Sequence, residues 1–371
     1  MFNARVWRGL WRTAATIGIA GAAIGASATL AGATPTPTVK AATWLKGQLV
    51  GGTHYNTTFT TSTPSPGLTA DGLFAFAAAS GFSGSVTTVA TWLDSATHIG
   101  GYIGASHNYP GGLAKVALAA AVAKAAGLSY TPTSFAGTNL ITDLEGTEVA
   151  SGAKKGDFAD PRDTPTYFGY ANPTSQALAV IVLEKVAPSY SKLATAVTYL
   201  EGQVCTTGNG GGFHGYPSLY GGCATNTIGG DVDTTGTVSQ ALSYYAAATG
   251  NATAKTAAEN ANGWLDHEKA AAGSTKVTWK NFCQTPFTSL TPSANSTALA
   301  IEGLVDDPRG SSHFSTDITK GKNWLVAAQN ATASSATYGS LPACTATGPG
   351  SVRATTQGTQ GLAGLSWVDL F

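Results

Sequence analysis

Charge is what this 371-residue chain has least of: Asp, Glu, Lys and Arg make up 11% of it, against about 25% in an ordinary soluble protein. Its 20 basic residues only balance its 20 acidic ones, so no basic face is available to hold a phosphate backbone and nucleic acid is excluded as a partner. Solvation must come mainly from Thr, Ser, Asn and Gln. Beyond the first 33 residues the chain has no run of the roughly 18 apolar residues that a membrane span requires. No Asp stands two residues before a Cys, and the four cysteines match no zinc spacing. Neither a metal nor a cofactor is therefore expected.

The exception to the missing apolar runs is the start. Arg5, Arg8 and Arg12 precede a small apolar stretch from Thr13 to about Ala26, and Ala31-Gly32-Ala33 leads into Thr34-Pro35-Thr36-Pro37. This is the layout of a Sec-type signal peptide with an A-x-A cleavage site, with a cut after Ala28 as the alternative. The expectation is a leader over 1–33, a single domain over 34–371, and a secreted, monomeric product. Loss of those three arginines leaves 17 basic against 20 acidic residues, a net of −3. In an exported chain four cysteines favour two disulfides. Cys205 and Cys223 bracket one Gly-rich loop, and Cys283 and Cys344 fall in the equivalent loops of the next two repeats, so the expected pairs are Cys205–Cys223 and Cys283–Cys344.

What the chain does have is a repeat. An aromatic-Leu pair recurs at Trp44-Leu45, Trp92-Leu93, Tyr199-Leu200, Trp264-Leu265 and Trp324-Leu325, with a degenerate copy around Leu140 to Leu144. Each lies on an amphipathic helix with apolar residues three and four apart. After each comes a Gly/Ser/Thr/Pro loop and a second helix, rich in Ala and Gly and apolar nearly all round, as a helix buried on most sides must be. Six such pairs fit residues 40 to 365 and predict an all-α fold, an α/α toroid of six helical hairpins. The amphipathic helices form its outer ring and the small-residue helices its inner ring, with disulfide-bonded loops. Thr, Ser, Asn or Asp near each inner-helix start is N-cap chemistry. Asp233 and Asn295 are expected as the caps at two equivalent places.

The outer-helix pattern Trp-Leu-x-x-Gln with a following Gly-aromatic turn occurs at Gln48 with Gly52 and Tyr55, Gln203 with Gly212 and Phe213, and Gln329 with Tyr338 and Gly339. Inner helices open with Asp231-Val232-Asp233-Thr234-Thr235 and Asn295-Ser296-Thr297-Ala298. Over nearly the whole mature chain this resembles the prenyltransferase and squalene-cyclase repeat superfamily, in particular its exported bacterial members. That resemblance implies a possible class II terpene cyclase with Asp233 as proton donor and Asp231 beside it, although the family's further Asp is replaced by Thr234. It implies no prenyl transfer, for want of the zinc ligands, and no thioester, since Gly222-Cys223-Ala224-Thr225 lacks the required run.

Two other readings follow from the residues. Polysaccharide hydrolases and lyases also use α/α toroids, with carboxylates or a Tyr/His pair in the cleft; the candidates here are Asp71, Asp231 and Asp233 with His54, Tyr55, His107, Tyr109, His214 and Tyr216. Alternatively, the loops ahead of the inner helices line the mouth of the ring and bind a small molecule or a cell-envelope glycan. The binding residues would be His54, Tyr55, His107, Tyr109, Phe168, Tyr170, Phe213, His214, Tyr216, Trp279 and Tyr338. The leading expectation is a secreted, non-catalytic binding protein, with the cyclase and the glycan-active hydrolase or lyase as its alternatives.

Overall fold

Why these helices close into a ring follows from how each one ends. A computed structural model of the chain describes residues 35–57, 62–163, 171–206, 210–215, 230–281, 290–310, 312–344 and 350–371. It contains thirteen α-helices among the described residues: α1 Pro37–Gly47, α2 Pro66–Ala78, α3 Ser83–Leu93, α4 Ala96–Ile103, α5 Pro110–Ala125, α6 Leu140–Gly146, α7 Pro173–Val186, α8 Leu193–Glu201, α9 Val232–Thr249, α10 Ala252–Glu268, α11 Ala294–Val305, α12 Ser315–Ala328 and α13 Val352–Ala363. Helix α4 is an addition to the twelve expected. Four two-residue strands form two small antiparallel pairs between α10 and α11, Ala270–Ala271 with Val277–Thr278 and Lys280–Asn281 with Thr291–Pro292.

Helices α2, α5, α7, α9, α11 and α13 each pack on the next, and α13 returns to α2. The inner ring is closed. Helices α1, α3, α6, α8, α10 and α12 lie outside it, each against the inner helices. The leucines of the aromatic-Leu pairs, Leu45, Leu93, Leu200, Leu265 and Leu325, are all fully buried, which is what fixes the outer helices to the inner ones. Small residues let the inner helices approach: a Cβ at Gly236 of α9 would stand 2.3 Å from the Leu299 carbonyl oxygen of α11. The first and last repeats are stapled by Gln329, whose amide donates to the Pro37 carbonyl at 2.8 Å, and by the Trp44 indole, which donates to Ala336 at 3.2 Å.

Inner helices begin at the same end of the ring because every outer helix runs antiparallel between them. Their extended N-cap residues are Ser65, Asn172, Asp231, Ser293 and Ser351, each accepting from the first helical turn through its side chain; α5 instead starts on Pro110. The caps of α9 and α11 are thus Asp231 and Ser293, two residues before the expected Asp233 and Asn295.

Four residues after five of these caps stands a second fastener. Thr69, Gln176, Thr235, Thr297 and Thr355 accept the backbone N–H of Tyr55, Phe158, Phe213, Trp279 and Leu341, at 3.0, 3.0, 2.9, 3.1 and 2.9 Å. The side chains so held are at most 1% exposed. In five of the six hairpins the turn before the inner helix is thereby pinned to that helix by one polar bond and one buried apolar plug. Thr297→Val keeps the shape but leaves the Trp279 N–H unpaired in the core. It should destabilise by about 1–3 kcal/mol, read as a lowered urea midpoint with an unchanged slope.

At the opposite end, the C-terminal segment crosses the ring. Trp367 is buried against Phe74 of α2, its N–H donates to Gln240 of α9 at 3.0 Å, and Phe371 lies against Tyr244 of α9 and Lys185 of α7. No helix among the described residues is long and apolar enough to cross a membrane. Neither Cys205 nor Cys344 is a free thiol. Cys223 and Cys283 lie outside the described residues, so the expected pairing stays a proposal.

Candidate active site

The inner-helix N-termini bring carboxylates to the mouth from opposite walls. With six helices in the ring, α9 is three places from α2 in either direction. Asp231 is the extended N-cap of α9: its Oδ1 accepts from the Thr234 N–H at 2.8 Å and its Oδ2 from the Asn281 amide at 3.1 Å. The Asp231 N–H in turn donates to the Phe213 carbonyl at 2.8 Å. Both oxygens of Asp231 are thus used as acceptors.

Asp233 sits one position into the first turn from Val232. Its Oδ1 is buried with no hydrogen-bond partner among the described residues. Burial first, and then the Asp231 charge, raise its pKa to about 6, against the pull of Ser296, Asn281 and Arg353. Desolvation and a neighbouring like charge both favour the protonated form. An acid of this strength beside a carboxylate can deliver a proton near neutral pH.

Across the ring on α2, Asp71 forms an ion pair with Lys115 of α5 at 2.6 Å, with side-chain exposures of 8% and 16%. Burial opposes the charge on Lys115, but Asp71 beside it outweighs this and the net shift is upward. The Tyr102 hydroxyl, in α4, is held up mainly by burial and feels both members of that pair together with Arg162 and Arg353. Asp71 stands six residues past its cap and Asp233 two past its own. At 1.5 Å of rise per residue, Asp71 lies about 6 Å deeper along the ring. Between the two walls and deeper still, Glu302 of α11 is fully buried, with no hydrogen-bond partner for either oxygen among the described residues. Burial raises its pKa well above the usual range, and it feels Asp71 and Asp233 together. Among the described residues no group of His, Cys, Asp and Glu could hold a metal ion.

Several of the residues expected at the mouth are elsewhere. Tyr55, Phe213 and Trp279 are core plugs, at most 1% exposed; the Tyr55 hydroxyl donates to Leu45 at 3.0 Å and the Trp279 indole to Leu265 at 2.6 Å. They hold the loops and offer a ligand no surface. His54 stacks on Trp92 of α3 with ring centroids 4.7 Å apart, and His98 stacks on the same indole at 4.3 Å. His107 pairs with Asp143 of α6 at 3.0 Å. Tyr109 lies under the Arg162 guanidinium at 3.7 Å. Tyr338 lies beside Lys40 of α1. His214 faces a cavity between the third and fourth hairpins. Phe168, Tyr170 and Tyr216 lie outside the described residues. Of the expected residues, Asp71, Asp231 and Asp233 lie on the inner helices, Asp231 and Asp233 side by side at the start of α9. Lys115, Tyr102, Glu302 and Arg353 join them unannounced by the sequence, since a charge on an otherwise apolar helix reads as a solubilising one.

No protein-family model and no curated protein matches the chain. Solved structures do. An inactive variant of the alpha-1,6-mannanase GH76A of Salegentibacter sp. HEL1_6, with two aspartates changed to asparagine and alpha-1,6-mannotriose bound, aligns over 88% of this chain and 97% of its own, at 11% identity and a TM-score of 0.61. An unsaturated glucuronyl hydrolase specific for heparin aligns over 88% and 95%, at 11% identity and a TM-score of 0.56. At that identity the likeness concerns the fold. It supports an α/α toroid, and not the prenyltransferase and squalene-cyclase superfamily in particular: the chain is similar in architecture to toroid enzymes that act on glycans.

Proposed function

We propose that this protein is a glycan-active hydrolase whose proton donor is Asp233. The observation that carries the reading is a partly buried carboxylic acid, raised to about 6, at a mouth that also presents Asp231 and, on the opposite wall, Asp71. Glycoside hydrolysis needs one carboxylic acid to protonate the departing oxygen and a carboxylate on the other side of the sugar to activate water or take the anomeric carbon. Asp233 fills the first role and Asp71 the second, while Asp231 holds the proton on Asp233 by its charge. The glycan substrates named for the two similar structures support this class of substrate.

Asp233 is not occupied as a helix cap, because Asp231 performs that task. The cyclase reading needs an aromatic lining for a carbocation. The groups that bear on Asp233 are Asp231, Ser296, Asn281 and Arg353, none of them aromatic. The leader over 1–33, secretion and the disulfide pairs remain part of this proposal, since an envelope or extracellular glycan is the substrate class such a protein would meet.

The test is product release from a panel of alpha-mannans, unsaturated uronides and other envelope polysaccharides, followed by reducing-end detection and mass spectrometry. New reducing ends from at least one glycan are expected. Squalene-like polyprenes converted while every glycan stays intact would overturn the assignment.

A further inference from the structure

The cavity at His214 has a volume of about 180 Å³, room for about six waters at their bulk share of roughly 30 Å³ each. It is smaller than the roughly 300 Å³ at which pockets for drug-sized ligands begin, and its scale is that of one pyranose unit. Lys154, Asp157, Asp163, Tyr199, Gln203 and His214 line it. Asp157 is 4% exposed, and the Tyr199 hydroxyl is hydrogen-bonded to it. The Nδ1 of His214 is buried with no partner among the described residues, which favours a ligand that supplies the missing bond.

The cavity adjoins the carboxylate pair. His214 is followed by Gly215, where a Cβ would stand 3.3 Å from Asp231 Cγ and 3.2 Å from Thr234 Oγ1. The backbone bonds of Phe213 to Asp231 and Thr235 lock this strap in place. A group seated against His214 is therefore one residue from the carboxylate that tunes Asp233.

The lining holds both donors and acceptors. Carboxylates accept from two neighbouring hydroxyls, whereas amide and imidazole groups can both give and take. Two carboxylates face one ammonium, Lys154, which is itself 3.8 Å from Asp157 and 54% exposed at its side chain. Burial keeps His214 toward its neutral form. This balance of charge repels an anionic sugar and suits vicinal hydroxyls.

We infer that this cavity is a subsite for one neutral hexose unit of the substrate, placed beside the Asp231–Asp233 pair by the His214-Gly215 strap. The inference rests on the hydrolase reading for its place in catalysis, but its binding test does not. In the Asp233→Asn protein, which separates binding from turnover, alpha-1,6-mannotriose and a hexuronate trisaccharide are titrated calorimetrically. His214→Phe and Gln203→Leu, which keep bulk and remove the polar atoms, are each expected to weaken mannotriose binding about tenfold, the worth of one buried hydrogen bond. Tighter binding of mannotriose than of the uronate is expected throughout. Mannotriose binding that is absent, or equal in both variants, or weaker than that of the uronate, overturns the subsite. Hydrolysis by the wild type with a KM indifferent to both variants would sink the subsite and leave the hydrolase standing. Weakened binding in a protein that cleaves no glycan would do the reverse.

Discussion

Replacing Asp233 by Asn is expected to remove at least about a hundredfold of the hydrolytic rate, the usual worth of a positioned general acid, and at the same time to stabilise the protein at pH 8. The sign follows from proton linkage. The ordinary pKa of the group is 3.8, and in the fold it is about 6, chiefly through burial and then through Asp231. Below 3.8 both folded and unfolded chains hold the proton and Asp233 is neutral to stability. Between 3.8 and 6 the folded chain binds more protons than the unfolded one, so stability falls as pH rises. Above about 6 the whole penalty is present, about 3 kcal/mol at 1.36 kcal/mol per unit. Asn carries no charge and escapes it. Chemical denaturation at pH 4 and pH 8 should show the variant gaining stability mainly at the higher pH. The activity of the wild type should fall as pH rises through about 6, as the acid loses its proton. An Asp233→Asn protein that keeps full activity would exclude Asp233 as the donor, whatever its stability. The partner substitution Asp231→Ala removes a cap and should cost about 1 kcal/mol instead.

Lys115→Met should be the most destabilising single change at the site, by about 3–5 kcal/mol. It leaves the Asp71 carboxylate without its counter-ion on the inner wall, and a buried pair broken on one side costs far more than the pair contributes when intact. Adding Asp71→Asn to Lys115→Met should restore most of the loss, because the stranded charge disappears; urea denaturation of the two singles and the double measures this directly. Equal destabilisation in Lys115→Met and in the double would mean that the aliphatic stem of Lys115 matters and its charge does not. Activity should remain low in the double variant under the proposed mechanism, since Asp71 is the carboxylate of the far wall. Stability and turnover therefore separate across this series.

The repeat was readable because its signals are local. Trp44-Leu45, Trp92-Leu93, Tyr199-Leu200, Trp264-Leu265 and Trp324-Leu325 each occur on an outer helix with the leucine fully buried. The Gly-aromatic turns were readable as pattern but not as purpose. Tyr55, Phe213 and Trp279 look like ligand-facing rings until the Thr69, Thr235 and Thr297 hydroxyls are seen to draw their backbones inward. The caps were misplaced by two residues for a similar reason. In Asp231-Val232-Asp233 either carboxylate could cap. The choice falls on Asp231 because its N–H is tied to the Phe213 carbonyl, which holds it extended at φ −121° and ψ 130° while Val232 begins the helix.

Helical period, cap chemistry and the small residues of alternate helices are properties of neighbours along the chain, and they were enough to determine six hairpins and which member of each faces inward. The partners of Asp71, Lys115, Asp233 and Glu302 come from helices many residues apart. Only ring closure could bury these groups around a shared interior, and burial is the main cause that raises the pKa of Asp233.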